Sequence, residues 1–214
     1  MDLFEQLTRS ISEFGTRLRL VDTEHWSLPT PCDEWDVREL VNHVVGGALR
    51  YTMLLHGATA DEIVATRSLD HLGGDAVGAF ERRAHEVSSA FREPGALSRT
   101  VHHPAGDRSG KELLELRITE FAVHAWDLAR AIGADEQIDA TLADEMSMRL
   151  SAAGTGLEQG GYFSPPTHAG DDTSSLAQLL HRTVASQVRC KSGRTQAPRR
   201  SLYAAGVTAS ASGT

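Results

Sequence analysis

Cysteine is scarce. Cys32 and Cys190 are the two in a chain of 214 residues, far apart and without a CxxC partner. This excludes a disulfide scaffold and a cysteine-rich zinc site, and makes a reducing cytoplasm the default location. No apolar run approaches the roughly 20 residues of a membrane span. The opening Met1-Asp2-Leu3-Phe4-Glu5-Gln6 lacks the features of a secretory signal, so no membrane partner is expected. Positive charge is also in deficit. The formal net charge of −8 would repel a polyanion before any specific contact formed, which argues against nucleic-acid binding. Hydrophobic residues at 40% and charged residues at 23% are enough to bury the core of one domain, with or without an appendage.

Acidic residues are missing from one place. From His181 to Thr214 there are six of the 21 basic residues and none of the 29 acidic ones, which leaves the first 180 residues with 15 basic against 29 acidic. The last stretch, Ala204 to Thr214, is almost entirely Ala, Gly, Ser, Thr and Val without an apolar period. We expect one helical domain over residues 1–180 and a poorly ordered basic tail over 181–214, with an anion-binding patch in the tail as the alternative.

Up to about residue 155 the hydrophobic period is helical. Leu3, Leu7, Ile11, Phe14, Leu18 and Val21 make a first stripe. After the Pro29 and Pro31 loop, Asp36 and Glu39 form a capping-box start, and Val37, Val41, Val44, Ala48, Tyr51 and Leu55 repeat strictly at 4-3-4-3-4. A third helix is predicted from about Gly74 to Phe91, and a loop from Leu97 to Gly110 with at most a short extended piece. A fourth runs from about Lys111 to Ile132, with Gly133 as its stop, and a fifth follows Asp139 to about Ala153. The expected fold class is all-α, a four-helix bundle with an additional C-terminal helix.

The fourth helix has a second, polar row. At about 100° per residue, Arg117, Glu120, His124 and Asp127 line up roughly 60 to 140° to one side of its apolar stripe. Glu120 and His124, four apart, point at one spot, the spacing by which a helix offers a carboxylate and an imidazole to one metal ion. On the second helix His43 occupies the matching flank, and Gly46-Gly47 follow it. Two glycines in mid-helix cost about 1 kcal/mol each relative to alanine. Gly47 would leave space beside His43. If the two helices pack together, His43, Glu120 and His124 form a His₂Glu site with open positions, as in catalytic metal centres. The bland alternatives are a satisfied flank histidine and an exposed ladder of ion pairs worth little.

The string Pro31-Cys32-Asp33-Glu34-Trp35-Asp36-Val37-Arg38-Glu39-Leu40-Val41-Asn42-His43-Val44-Val45-Gly46-Gly47 resembles the start of the second helix in mycothiol-dependent maleylpyruvate isomerase-like proteins, which belong to the DinB-like superfamily of metal-binding four-helix bundles. Glu120-Phe121-Ala122-Val123-His124-Ala125-Trp126-Asp127-Leu128-Ala129-Arg130-Ala131-Ile132-Gly133 is similar to that group's second signature. The resemblance spans about residues 3–155 and implies a DinB-like bundle whose metal is held at His43, Glu120 and His124. The isomerase that names the group has a further C-terminal domain, which is not expected in this chain, so none of that domain's contacts is carried over.

A divalent ion (zinc first, nickel second) with two neutral imidazoles and one carboxylate keeps positive charge and lowers the pKa of a coordinated thiol. No cysteine of the chain lies in the metal motif, so the expected cosubstrate is mycothiol or another low-molecular-weight thiol acting on a small electrophile, by isomerisation or S-transfer. Arg117, and less surely Arg50, could hold a carboxylate of substrate or thiol, and Asp127 could accept from an imidazole N–H. Each has a structural alternative as an ion pair or cap. Trp35 is expected to staple the helix entrance to Leu40, Trp126 to pack between helices, Cys32 to be a small buried residue, and His102-His103 to be loop residues with an added metal ligand as the alternative. Two other functions stay open: a metal-hydroxide hydrolase on the same residues, and a bundle that binds metal or a small molecule without turnover. A homodimer stays open as well.

Overall fold

The computed structural model describes residues 1–32, 35–104 and 106–153; the expected tail over 181–214 and its boundary near 180 lie outside them. Four helices make the bundle: α1 (Leu3–Leu18), α2 (Val37–Leu55), α4 (Ala76–Phe91) and α5 (Gly110–Ile132). A short α3 (Ala60–Ala65) follows α2, and α6 (Ala140–Ala153) follows α5. Each begins where side-chain chemistry satisfies the first free amides. The Asp36 carboxylate accepts from the Glu39 amide at 2.8 Å while Glu39 accepts from the Asp36 amide at 3.1 Å, the reciprocal box read from the sequence. Ser109 and Glu112 build the same box at the head of α5, and Gly133 closes that helix at φ 68°.

α1 lies along α5 and α2 along α4, and α2 also packs on α5. The predicted stripes are the ones that meet: Leu7, Phe14 and Leu18 of α1, Val37, Val41, Val44 and Ala48 of α2, Phe80 and Val87 of α4, and Leu114, Ile118, Phe121 and Leu128 of α5 are all buried. Phe80 joins three helices, its ring 5.0 Å from that of Phe14 and 5.9 Å from that of Phe121. α6 is tied back to α1 through Arg9 and Asp139 at 2.7 Å. No helix among the described residues is long and apolar enough to cross a membrane.

Three local features depart from the expected outline. α4 starts at Ala76, because Asp75 caps the Gly78 amide at 2.8 Å, rather than at Gly74. The predicted loop Leu97–Gly110 contains an antiparallel pair, β1 (Thr100–Val101) with β2 (Arg108–Ser109). The third is α3, whose Thr59–Glu62 capping box gives a six-residue helix where no element was predicted.

Candidate functional site

The polar row of α5 is inside the protein. Arg117 and Asp127 are 0% exposed and His124 6%, while the Glu120 side chain retains 31%. Burial on this scale excludes the solvated ladder of ion pairs. A buried charge or polar group persists only where it is bonded, and these residues are. His124 Nδ1 lies 2.9 Å from Asp127 Oδ2. A carboxylate at that distance holds the proton on Nδ1, which leaves the Nε2 lone pair of His124 available.

His43 of α2 meets His124 across the α2–α5 contact, with ring centroids 5.2 Å apart and planes at 81°. Burial pushes the His43 pKa well below its ordinary value, and the nearby His124, Arg50, Arg117 and Arg67 push the same way. The ring is therefore a neutral imidazole with a lone pair to donate. The helical construction anticipated both histidines and their convergence.

Glu120 is differently placed. Its Oε2 accepts from Arg117 Nη1 at 2.8 Å. Arg117 also donates through Nη2 to the Val44 carbonyl at 3.1 Å and lies over the Phe121 ring at 3.8 Å and the Tyr51 ring at 5.4 Å. Arg117 is thus built into the α2–α5 contact and turned toward Glu120, with no exposed surface to offer a substrate. The Gly47 space has the same explanation. A methyl at Gly47 would come within 2.4 Å of Arg117 Nη1, so the glycine makes room for that guanidinium and not for an opening beside His43.

Among the described residues, the three metal-capable side chains whose donor atoms lie within 4.8 Å of one another are Cys32, His124 and Asp127. His43 and Glu120 are outside that set. Cys32 is buried, and its Sγ lies 3.7 Å from Asp127 Oδ2. The expected trio is therefore assembled in part: two imidazoles face each other, and the carboxylate one turn away is bonded to Arg117. Arg50 lies beside the pair and donates to the His43 carbonyl at 3.3 Å.

Sequence reasoning missed two contributors, both from the loop before α2. Trp35 stacks on His43 with centroids 4.4 Å apart and planes at 35°, and it stands 6.1 Å from the His124 ring. The staple to Leu40 is thus an incomplete account of it. The loop holds the indole there through its backbone: the Trp35 carbonyl accepts from the Thr30 amide at 3.1 Å and the Thr30 hydroxyl at 2.8 Å, and the Trp35 amide donates to Cys32 at 2.9 Å. Cys32 is the second contributor, reaching Asp127 from the same loop. Trp126 packs as expected, 8% exposed with Arg130 over its ring. His102 pairs with Asp107 at 2.9 Å on the surface, while the His103 ring is 6.5 Å from that of Tyr51.

These features define a helical-bundle protein that sets a pair of metal-capable imidazoles, one buried and one half-buried, between two of its helices. The family model for the mycothiol maleylpyruvate isomerase N-terminal domain matches residues 7–129, a span that contains every residue of this site, and the chain belongs to that family. Two uncharacterized proteins from two strains of Mycobacterium tuberculosis are each 35% identical to it over 158 residues, covering 72% of this chain and 78% of theirs. Among solved structures, the crystal structure of the mycothiol-dependent maleylpyruvate isomerase superposes with a TM-score of 0.53 at 23% identity, over 69% of this chain and 68% of that one. A histidine-to-alanine mutant of that isomerase gives a TM-score of 0.52 at 23% identity, over 72% of this chain and 73% of that one. The expected all-α four-helix bundle with a further helix after it is the fold observed.

Proposed function

We propose that the chain is a metal-dependent enzyme that activates a small-molecule thiol, mycothiol or a close equivalent, for isomerisation or S-transfer on a small electrophile. The observation that carries this reading is the His43–His124 pair, in which one imidazole has its tautomer fixed by Asp127 and the other is kept neutral by burial. Two imidazoles with a nearby carboxylate are a donor set that suits zinc, and also nickel. His43, His124 through Nε2, and Glu120 would hold the ion. When bound, such an ion lowers the pKa of a coordinated thiol so that the nucleophilic thiolate is available near neutral pH.

The chain's own residues supply the rest. Asp127 orients the His124 ring and makes it the better donor. Trp35 covers one face of His43 and limits the directions from which water and ligands approach. Arg117 fixes the position of Glu120 from the side opposite to solvent. The family's name supports mycothiol as the thiol, and maleylpyruvate is the first electrophile to try.

The reading is tested by metal analysis of wild type, His43→Ala, His124→Ala and Cys32→Ser, with mass spectrometry for thiol conjugates and isomerised product. We expect about one ion per chain in wild type and Cys32→Ser and background levels in the two histidine variants. Equal metal in all four would remove the site, and loss in Cys32→Ser alone would move it to the Cys32–His124–Asp127 set. Hydrolysis without thiol would favour the hydroxide reading, and no turnover a binding role. Asp127→Asn should keep the fold but weaken metal binding by about 10- to 100-fold, measured by chelator competition. Unchanged affinity would reduce Asp127 to a packing role.

A further inference from the structure

The site contains a cation to which, among the described residues, no carboxylate is bonded. Arg50 lies on α2 two turns beyond His43, on the same face. Among the described residues its hydrogen bond is to the His43 carbonyl, at 3.3 Å. Among the described residues no carboxylate forms an ion pair with it, whereas Arg117 is neutralised by Glu120 and Arg83 by Glu86. The backbone makes room for this guanidinium: a methyl at Gly46 would come within 2.8 Å of Arg50 Nη1 and 2.4 Å of His71 Cδ2. Gly46 and Gly47 thus each clear one guanidinium, of Arg50 and Arg117 respectively, which is a physical reason for two mid-helix glycines.

The electrostatics agree with the geometry. Burial pushes the Arg50 guanidinium down to about 10, with Arg117 and Arg67 adding repulsion and Glu120 opposing them. Arg67, exposed after α3, follows Thr66, whose carbonyl lies 2.9 Å from Nε2 of the His71 ring that shares the Gly46 space with Arg50, and its charge acts on Arg50, His43 and His103 alike. A local excess of positive charge in a chain that is acidic overall, centred on a desolvated guanidinium, calls for an anion from outside.

We propose that Arg50, assisted by Arg67, is a carboxylate subsite that binds a carboxylate of the electrophile beside His43, or that of a carboxylate-bearing thiol used in place of mycothiol. The planar guanidinium fork matches the two oxygens of a carboxylate, and one of its five N–H donors is spent on the backbone. Which ligand arrives rests on the thiol-enzyme reading; the anion site itself does not.

The test is calorimetric titration of the full-length chain, as purified and after chelator treatment, with two probe pairs: maleate against neutral maleamide, and N-acetylcysteine against N-acetylcysteine amide. Wild type should bind the charged member of one pair about ten- to hundred-fold tighter, the interval of one charge-assisted fork. Arg50→Gln should erase that preference, and Arg50→Lys should restore the smaller part of it. The exposed Arg67→Gln should lower it by about two- to five-fold, in keeping with a screened charge, and reports on the subsite even where Arg50→Gln fails to fold.

A preference for maleate lost in Arg50→Gln assigns the carboxylate to the electrophile, and a lost preference for N-acetylcysteine assigns it to a carboxylate-bearing thiol other than mycothiol; either supports the subsite. Equal binding of both members of both pairs by wild type overturns it, as does an unaltered preference in Arg50→Gln. Metal content in Arg50→Gln should match wild type. A fall to the His43→Ala level would also overturn the assignment, making Arg50 a support for His43. Absence of metal from wild type would instead end the thiol-enzyme reading while leaving the anion measurement intact.

Discussion

Arg117→Ala should destabilise the fold by about 3 kcal/mol, the low end for breaking a buried ion pair. The low end applies because the two partners are buried unequally. Arg117 has no exposed surface, but the Glu120 side chain is 31% exposed and can recover water when its partner is removed. Against that recovery stand the loss of the bond to the Val44 carbonyl, the loss of the cation over Phe121, and a cavity between α2 and α5. Urea denaturation should show the midpoint falling with an unchanged slope, since the surface exposed on unfolding hardly alters. A loss below about 1 kcal/mol, the value of an exposed pair, would mean that the guanidinium lives in solvent and that the packing described above is wrong. Arg117→Lys should fall between, because an ammonium keeps the charge near Glu120 but cannot reach Val44 at the same time.

That residue also marks the limit of what the sequence reveals. Periodicity placed Arg117, Glu120, His124 and Asp127 on one row of α5, and it placed His43 on the flank that meets them, because helical angles depend on the chain alone. Whether the row faced water or protein depended on what packed against it. The spacing was equally consistent with an exposed ladder, and only the α2 contact decides between them. The direction taken by Glu120 was likewise open: three residues from Arg117 and four from His124, it can serve either, and the buried guanidinium takes it.

Cys32 and Trp35 were hidden for another reason. They sit in a loop, where no period tells which way a side chain points, and their partners are distant in sequence: Asp127 for one and His43 for the other. α3 is a different case. Its Thr59–Glu62 box was present in the sequence, but a helix of six residues is too short to build an apolar stripe. The two glycines of α2 were conspicuous, but the space expected beside His43 at Gly47 is taken by Arg117. What fills the space was not legible, since Arg117 reaches Gly47 from α5 and His71 reaches Gly46 from a loop.

The Gly47–Arg117 approach yields a second large effect, one that changes sign with its background. In wild type, Gly47→Ala places a methyl within 2.4 Å of Arg117 Nη1. The tip of an arginine ordinarily swings aside at little cost, but this one is held by Glu120, by Val44 and by the Phe121 ring, so it yields only by breaking bonds. Overpacking of this kind costs about 1–3 kcal/mol. The gain of about 1 kcal/mol from replacing a helical glycine with alanine offsets part of it. The single variant should therefore lose up to roughly 2 kcal/mol. In an Arg117→Ala background the clash has no second party and the helix gain remains, so Gly47→Ala should then stabilise by up to about 1 kcal/mol. The double-mutant cycle should return a coupling of about 1–3 kcal/mol, within the range for residues in direct contact. Additivity within about 0.5 kcal/mol would show that the two residues do not touch. The close approach of α2 and α5 that brings His43 to His124 would then need another explanation.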